Sequence, residues 1–529
     1  MKKFVSCLLV LILMLSLIPN VLAEGDDLSY PISEEPITIT LLVGIDSGNA
    51  NGVLDNMQDI EFFAEMERRT NVHLEILQAS STNDAVTQFN LMVAGGNLPD
   101  VAFIKTSLLT GGVSSYVDEG TIIPLNDYME YAPNLSKLFE EHPDWQKRIS
   151  TTDGQIYGIP KIKQDGLPRI THGMQIRTDW LKNVGMEMPT TIDEWDAVLA
   201  AFMEQDANGD GDPNNEIPLG TISYSSLGQN RNLVSLFALG YGLNDTFAQK
   251  DNKVFFSPYE PEFKNVLTKL NEWYTKGYID QDYLSLDEDA MNAKIMSNQV
   301  GAFAQTLGSG LSKFLSVWNS EGLPYDLAGV PYPIAPDSNK YMTYNVAQVI
   351  ENATVITSAN KHPKETVQYF DYLFSEEGTI LLNYGIEGKS FEYGEDGKPH
   401  YTDEILNNPQ GLAPANALYR YCFGLADFSG FQLAESYLSS IRWEQQKKAG
   451  KTFMDGIPIN LIGLQHTVEE NEYINRVWGD IETYCIEMIN KYIRGTESLD
   501  SFDDFRARLK DMGIEQVIAY KQAAYDRSL

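Results

Sequence analysis

The protein is a chain of 529 residues, of which 43% are hydrophobic and 11% aromatic, and its formal net charge is −35. That apolar content can form large buried cores, which excludes a disordered chain, and the length suggests two or three domain-sized units. The acidic charge argues against nucleic acid and anionic membranes as partners, because binding them requires clustered Lys and Arg.

The chain begins with a segment typical of a secretory leader. A basic "MKK" precedes the apolar run "FVSCLLVLILMLSLI", and "PNVLA" places Val21 and Ala23 at the small-residue positions of a cleavage site. We expect a signal peptide over 1–23, cleavage after Ala23, an acidic linker over 24–35, and a secreted or cell-surface protein. An uncleaved anchor is the alternative, but the apolar run is shorter than the roughly 20 residues that a spanning helix needs. Cys7 lies too early to be a lipidated residue, so no lipid anchor is predicted.

Beyond residue 36 the chain alternates strand-like and helix-like runs. The stretch "ITITLLVGI" predicts a buried strand, "DIEFFAEMERRTN" a helix ending near Asn71, and "VHLEILQA" a second strand. A helix over "DAVTQFNLMVAGG" and a strand over "LPDVAFIK" follow. This alternation predicts a doubly wound α/β lobe, in which ligands meet the loops at the carboxyl ends of the strands.

A second α/β unit is predicted further along the chain. The stretch "TTIDEWDAVLAAFMEQ" carries a capping box, because Thr191 stands three residues before Glu194, and its apolar residues share one helical face. Another helix is predicted over "PEFKNVLTKLNEWYTKG", and a helix followed by a strand over "NAKIMSNQVGAFAQ".

The acidic loop "DANGDGDPNNEIP" follows the helix that Thr191 caps. Oxygen side chains at alternate positions, a turn at Gly211 and a later carboxylate are typical of a calcium loop. The predicted ligands are Asp206, Asn208, Asp210, Asp212 through its backbone carbonyl, and Glu216. The Glu falls one residue earlier than in a 12-residue EF-hand loop, and Pro218 disfavours an exiting helix. We therefore expect a static, structural Ca²⁺ site, with a solvated turn as the alternative.

Catalytic patterns are scarce in the chain. The six histidines form no HExxH pair, and there is no CxxC, Walker A or GxSxG motif. A glycosidase needs only two suitably spaced carboxylates, so a carbohydrate-active enzyme stays an alternative among 74 acidic residues. After the leader two cysteines remain, Cys422 and Cys485, and the sequence does not decide whether they pair.

Six stretches of the chain, taken in order, point to one family. They are "GNLPDVAFI", "GTIIPLNDYMEYAPNL", "TTDGQIYGIP", "IRTDWLKNVGMEMPTTIDEW", "KHPKETVQYFDYLFSEEGTILLNYGIEG" and "YIRGTESLDSFDDFRARLKDMGIEQV". Together they resemble the family 1 extracellular solute-binding proteins of ABC importers, in the branch of the LplA-type lipoproteins and the alginate-binding proteins. The resemblance covers nearly the whole mature chain, although the lipobox cysteine typical of the family is missing.

The resemblance implies an α/β, two-lobed, periplasmic-binding-protein-like (type II) fold with an interlobe ligand cleft and a helical C-terminal region. We expect the first lobe to comprise 36–160 and 345–400, and the second 161–344 and 401–529. The implied function is that of a monomeric, non-enzymatic protein that binds an oligosaccharide and delivers it to an ABC transporter permease. Proteins of the alginate-binding branch also hold a calcium ion in a loop that matches 206–216.

A sugar-binding cleft needs aromatic faces against sugar C–H groups and planar polar side chains for the hydroxyls. Residues near expected strand ends or lobe crossings are therefore the candidates for ligand contact. They are Asp100, Lys105, Tyr157, Arg177, Asp179, Gln305, Arg442 and Trp443. A structural role is the alternative for each: Tyr157 and Trp443 can pack in a core, and Arg177 can pair with a nearby carboxylate.

The charge of the ligand is a separate question. Arg177 and Arg442 could grip uronic-acid carboxylates with two hydrogen bonds each. A net charge of −35 repels polyanions at long range, so we expect a neutral or weakly charged oligosaccharide. A surface sugar sensor or adhesion protein on the same fold is a further alternative, which an adjacent sensor-kinase gene would favour over adjacent permease genes.

Overall fold

The computed structural model describes residues 30–50, 53–164, 172–228, 232–334, 342–343, 348–423, 428–459, 461 and 464–528. The strands are β1 (Ile37–Gly44), β2 (Val72–Ala79), β3 (Val101–Lys105), β4 (Ile159–Lys163), β5 (His172–Arg177), β6 (Ile217–Gly220), β7 (Phe247–Lys250), β8 (Lys253–Phe256), β9 (Val300–Thr306), β10 (Leu327–Gly329), β11 (Met342–Thr343), β12 (Val349–Ile356), β13 (Phe391–Tyr393), β14 (Pro399–Tyr401), β15 (Gly430–Gln432) and β16 (Ile457–Pro458).

The α-helices are α1 (Ser47–Ala50), α2 (Glu61–Thr70), α3 (Thr82–Gly95), α4 (Val113–Asp118), α5 (Pro133–Glu141), α6 (Pro143–Arg148), α7 (Thr178–Asn183), α8 (Ile192–Glu204), α9 (Leu233–Ala238), α10 (Phe263–Thr275), α11 (Glu288–Met296), α12 (Lys313–Ser320), α13 (Pro363–Asp371), α14 (Glu376–Tyr384), α15 (Asp403–Leu406), α16 (Pro414–Tyr419), α17 (Ala434–Ser440), α18 (Glu444–Met454), α19 (Val468–Arg494), α20 (Phe502–Asp511) and α21 (Ile514–Ser528). In the described part of the chain, no helix combines the length and the apolarity that crossing a bilayer requires. The predicted leader lies outside the described residues.

The predicted opening of the first lobe is confirmed, because β1, α2, β2, α3 and β3 follow one another in that order. Helix α2 ends at Asn71, which adopts a left-handed conformation with φ 59° and donates its N–H to the Glu67 carbonyl. Helix α3 begins after Ser81, whose side chain accepts the Asp84 N–H. Local capping therefore sets the end of α2, which the sequence predicts, and the start of α3, which lies two residues before the predicted run.

The first lobe is built on a six-stranded mixed sheet in the order β15-β4-β12-β3-β1-β2. Strand β1 pairs in parallel with both β2 and β3, whereas β12 is antiparallel to β3 and β4. Leu41, Leu42 and Val43 of β1 are fully buried, as expected for a strand covered on both faces. Three parallel strands thus present their carboxyl ends at one edge of this sheet.

The second lobe is built on a four-stranded sheet in the order β10-β5-β9-β6. Helices α8 and α10 and the long C-terminal helix α19 supply apolar side chains to its core. The capping box predicted for α8 is present, with both Thr191–Glu194 hydrogen bonds formed. The helical C-terminal region therefore completes the second lobe rather than forming a third one.

The two hydrophobic cores are separate, and their membership differs from the predicted division of the chain. The predicted second lobe includes 401–529, but Tyr401, Tyr419 and Phe428 are buried in the first core. The difference arises because β15 returns to pair with β4 before the chain enters the second lobe through α18. Cys422 lies in the first core and Cys485 in the second, and no disulfide joins them within the described residues.

Candidate functional site

A cavity of about 350 Å³ lies between the two lobes. Its lining comprises Thr106, Ser107, Gly112, Val113, Ser114, Arg148, Tyr157 and Val349 from the first lobe; Gly228, Thr246, Phe247, Asn471, Ile474, Asn475 and Lys521 from the second; and Leu461, Leu464, Gln465 and His466 from the segment before α19. The volume falls in the range of small-molecule sites, which is about 300–1,000 Å³. Both lobes thus contribute walls to one candidate ligand site.

The carboxyl end of β3 reaches this cavity. Lys105 is the last residue of β3, and Thr106 and Ser107, which follow it, line the cavity. Lys105 itself is not among the lining residues, and its contact with a ligand stays a prediction. Asp100 lies away from the cavity, because it precedes β3 at the opposite edge and its carboxylate accepts hydrogen bonds of 2.8 Å from the Thr40 N–H and hydroxyl.

Tyr157 is the predicted ligand residue that the structure places in the cavity wall. Its side chain is 3% exposed, and its hydroxyl donates to the Arg148 carbonyl at 3.1 Å. The Gln465 amide donates to the same carbonyl at 2.9 Å. The segment before α19 is therefore fastened to the first lobe beside the cavity.

Arg177 and Asp179 form a buried ion pair inside the second lobe, away from the lining residues. The Arg177 guanidinium donates to both Asp179 oxygens, at 2.8 and 2.5 Å, and is fully buried. Its central carbon lies 5.0 Å from the ring centroid of Trp318 and 4.4 Å from that of Tyr325. Arg177 therefore pairs with a nearby carboxylate, which is the structural alternative to ligand contact. Aromatic rings and the Asp179 carboxylate already surround its guanidinium.

The remaining three candidates also lie outside the cavity lining. The Gln305 amide donates to Glu288 at 3.1 Å and its oxygen accepts the backbone N–H of the next residue. The Trp443 indole donates to the Ser316 hydroxyl at 3.3 Å, and its ring packs on the second core. Arg442 is exposed beside it. The carboxyl ends of β5 and β9 in the second lobe, Arg177 and Thr306, are thus not among the described lining residues.

Most residues of the cavity wall are not among the candidates that the sequence predicts. Two aromatic residues, Tyr157 and Phe247, and three amides, Gln465, Asn471 and Asn475, line the cavity. Flat aromatic faces and planar amides suit the C–H groups and hydroxyls of a sugar ring. Apart from Tyr157, these residues come from the β7–β8 hairpin and the C-terminal helical region, where no strand-end rule applies.

The acidic loop folds back on itself through a series of side-chain to backbone hydrogen bonds. Asp206 accepts the Gly211 N–H at 3.0 Å, Asn208 the Asp210 N–H at 2.9 Å, and Asp210 the Asp212 N–H at 2.9 Å. These bonds tie the side chains of the loop to its own backbone.

Two carboxylate oxygens of the loop are buried without a hydrogen-bond partner, Oδ1 of Asp206 and Oε2 of Glu216. Burial raises the pKa of Glu216, and the neighbouring charge of Asp206 raises it further. Buried carboxylates of this kind fit a hard cation, which takes oxygen ligands. No three His, Cys, Asp or Glu side chains of the described residues converge as a metal site, so any ion here depends also on the Asn208 amide and backbone carbonyls.

Two α/β lobes around a shared cavity define a binding protein of the periplasmic-binding-protein class. Residues 56–380 match the family described as bacterial extracellular solute-binding protein. The chain belongs to that family, which confirms the resemblance seen in the sequence.

Characterised relatives span most of the chain. The fructooligosaccharide ABC transporter substrate-binding protein FusA of Streptococcus pneumoniae is 25% identical over 485 residues, 87% of this chain and 86% of that protein. The polygalacturonan/rhamnogalacturonan-binding protein YtcQ of Bacillus subtilis is 24% identical over 481 residues, 87% of this chain and 88% of that protein. The crystal structure of the alginate-binding protein AlgQ2 without calcium ion has a TM-score of 0.74 at 27% identity, covering 94% of this chain and 99% of that one. The predicted fold class is thereby confirmed.

Proposed function

We propose that the protein binds an oligosaccharide outside the cell and delivers it to the membrane permease of an ABC importer. The observation that carries the proposal is the interlobe cavity, whose wall combines aromatic rings with amide and hydroxyl side chains. Family membership supports it, as do the fructooligosaccharide and polygalacturonan ligands in the names of two relatives. We also propose that the protein acts as a monomer, without nucleic acid and without catalysis.

The proposed mechanism depends on the fact that the cavity wall is shared between the two lobes. Tyr157 belongs to the first lobe and Phe247 to the second, so a sugar that touches both rings bridges the lobes. Such a ligand favours the arrangement in which the lobes approach each other, because only there are both sets of contacts made. The permease would then recognise the closed arrangement and not the open one.

A ligand panel tests the proposal. Oligosaccharides of several linkages should include at least one that raises the melting temperature and reduces the scattering radius of the purified protein. Binding to the native state alone stabilises it by about 2.7 kcal/mol when the ligand is present at about a hundred times its dissociation constant. A broad panel that changes neither quantity would contradict the proposal.

We further propose a structural calcium ion in the loop 206–216. Asp206, Asn208, Asp210 and Glu216 would hold it through side-chain oxygens and Asp212 through its backbone carbonyl. Bound calcium would supply positive charge to the two buried carboxylate oxygens that lack partners. Solved relatives support the idea, since one is the calcium-free form of AlgQ2 and another an EF-hand mutant of FusA.

We propose, finally, that the leader is removed after Ala23 and that the mature chain carries no lipid. The absence of a cysteine after the cleavage site is the reason, since lipid attachment requires one. Intact mass and N-terminal sequencing of the native protein should find Glu24 first. A retained leader or an added diacylglycerol mass would contradict this proposal.

A further inference from the structure

The wall of the interlobe cavity offers few hydrogen-bond acceptors to a sugar. Each hydroxyl of a saccharide has a proton to donate, and a buried hydroxyl needs an acceptor for it. None of the described lining residues is Asp or Glu, so the side-chain acceptors of the wall are hydroxyl oxygens, amide oxygens and the imidazole of His466. An imidazole nitrogen accepts only while the ring is neutral and its proton is on the other nitrogen. The state of His466 therefore decides what this part of the wall can bind.

His466 lies where the two lobes meet. Gln465, which precedes it, donates its side-chain amide to the Arg148 carbonyl of the first lobe at 2.9 Å. Thr467, which follows it, is the N-cap of α19 in the second lobe, and its hydroxyl accepts the Glu470 N–H at 3.3 Å. A ligand that contacts His466 therefore touches the wall at the junction of the lobes.

The Glu470 carboxylate beside this imidazole is ionised and held in place. Nη1 of Arg527 donates to its Oε1 at 3.1 Å, and Nη2 donates a short hydrogen bond to its Oε2. Oε2 also accepts the Thr467 N–H at 2.9 Å, which completes the capping box of α19. Burial raises the pKa of Glu470, but Arg527 and the Thr467 N–H together lower it below its ordinary value. Glu470 is therefore an anion at neutral pH.

The two ring nitrogens of His466 have different surroundings. Nδ1 is buried, and Oε2 of Glu470 lies 3.5 Å from it. That distance is longer than a regular hydrogen bond, but a carboxylate that faces a ring nitrogen favours the proton on that nitrogen. Because Nδ1 is the buried nitrogen and His466 lines the cavity, Nε2 is the nitrogen that a ligand can reach.

The surroundings of His466 also keep its ring neutral. Burial lowers the pKa of His466 well below its ordinary value, and the charges of Lys521 and Arg527 lower it further. Glu470 opposes this shift without reversing it. At neutral pH His466 is therefore an uncharged imidazole, with its proton on Nδ1 and a lone pair on Nε2.

We propose that His466 contacts the ligand by accepting a hydrogen bond from a sugar hydroxyl at Nε2, and that Glu470 is the positioning residue that holds the ring proton on Nδ1. This inference rests on the proposed function and assigns one contact within it. A ring fixed in this tautomer selects a ligand group that donates a proton. It disfavours a ligand group that only accepts, because two lone pairs would then face each other.

Substitutions of His466 test the contact. The probe is the saccharide that binds the purified protein most tightly in calorimetry at pH 7, from a panel of kestose, maltotriose, trigalacturonate and an alginate trisaccharide. His466→Leu removes the acceptor and should weaken binding of this probe by about fivefold or more. His466→Gln should restore the affinity to within about twofold of the parent, because its amide oxygen can accept in place of Nε2.

A second histidine supplies the matched control. His400 also pairs with a carboxylate, because its Nε2 lies 2.9 Å from Oδ1 of Asp396, but it is exposed and is not among the lining residues. His400→Leu should therefore leave the affinity for the probe unchanged.

Glu470→Gln tests the positioning role. Glutamine also completes a capping box, so the start of α19 is preserved. Its amide can donate to Nδ1 of His466, however, which favours the ring proton on Nε2. The affinity should fall about as far as in His466→Leu, and Glu470→Gln should have no further effect in the His466→Gln background.

The tautomer itself can be measured. Long-range proton–nitrogen NMR spectra of histidine-labelled protein should place the His466 proton on Nδ1 in the parent and on Nε2 in Glu470→Gln. The signals of His466 are those that His466→Gln lacks. A purely structural role of Glu470 would not move this proton, and the spectrum of the parent decides alone if Glu470→Gln fails to fold.

The outcomes separate this inference from the proposed function. If a saccharide binds and His466→Leu binds it as tightly as the parent, the inference is wrong and the oligosaccharide proposal stands. A charged ring, or a proton on Nε2 in the parent at pH 7, would overturn the assigned tautomer. If no saccharide of the panel binds, the proposed function falls and this inference falls with it.

Discussion

Gly112 of the first lobe and Asn471 of the second approach so closely that a β-carbon at Gly112 would lie 2.1 Å from Asn471 Nδ2. Gly112 also has φ +80°, a conformation that other residues rarely adopt. Both residues line the interlobe cavity. The lobes can therefore approach each other at this point only because Gly112 has no side chain.

Gly112→Ala should separate the lobes and weaken oligosaccharide binding, because the new methyl group occupies the space of the Asn471 amide. Gly120→Ala is the matched control: Gly120 has φ +72°, but nothing lies within 4 Å of an added β-carbon. Both variants should lose about 1–2 kcal/mol of stability from backbone strain. Only Gly112→Ala should also bind the oligosaccharide more weakly and show a larger scattering radius. Equal affinities for the two variants would contradict the prediction.

Arg177→Gln should destabilise the second lobe and leave sugar affinity of the folded protein unchanged. The expected cost is about 1–3 kcal/mol, because the Asp179 carboxylate loses its cation but is 20% exposed and so keeps part of its hydration. Asp179→Asn keeps the shape of the pair and allows affinity to be measured if Arg177→Gln does not fold. Arg442→Gln, at an exposed position, should change stability by no more than about 0.5 kcal/mol. A stable Arg177→Gln variant that has lost sugar binding would be inconsistent with the buried pair.

Chelation should lower the melting temperature and leave sugar affinity at moderate temperature almost unchanged, because the loop 206–216 lies outside the cavity lining. Asp206→Asn should mimic chelation, since it alters a buried oxygen without a partner but keeps an acceptor for the Gly211 N–H. Asp212→Asn should have little effect if only its carbonyl binds the ion. Magnesium should substitute poorly, because it requires tighter octahedral geometry. Metal analysis that finds no calcium in protein purified without chelator would count against the site.

We expect the folding stability of the protein to depend on pH through Asp245. Burial raises its pKa from 3.8 to about 6, outweighing hydrogen bonds from the Gly228 N–H and other donors. The folded state then holds a proton that the unfolded state releases, so this contribution is complete below pH 3.8 and is lost as pH rises through about 6. Asp245→Asn cannot ionise, so urea unfolding should show it gaining roughly 2.5 kcal/mol relative to the parent between pH 4 and pH 8. An identical difference at both pH values would contradict the prediction.

Local patterns allowed the elements of both lobes to be predicted. Periodicity and capping residues such as Asn71 and Thr191 act within a few residues, and the helices end and begin where these residues predict. The acidic loop was also recognisable, since its oxygen side chains lie close together in sequence. Such features are set by neighbours along the chain, so one sequence is enough to predict them.

The candidate ligand residues were harder to predict because their surroundings come from distant parts of the chain. Arg177 is buried because Trp318 and Tyr325 close over it. Phe247 and Lys521 meet in the cavity from a hairpin and the last helix. Nothing in the spacing of these residues predicts that they are neighbours, and the strand-end rule applied only to the first lobe.

Cys422 and Cys485 give each lobe its own internal reporter. Each thiol is buried in a different core, and burial raises the pKa of Cys485 well above its ordinary range. A thiol in this state reacts with an alkylating reagent only when its surroundings open. Pulsed alkylation of the wild-type protein, followed by peptide mass analysis, would thus measure the opening rate of each lobe separately. The same measurement with a bound sugar would show whether the ligand protects both lobes or only one.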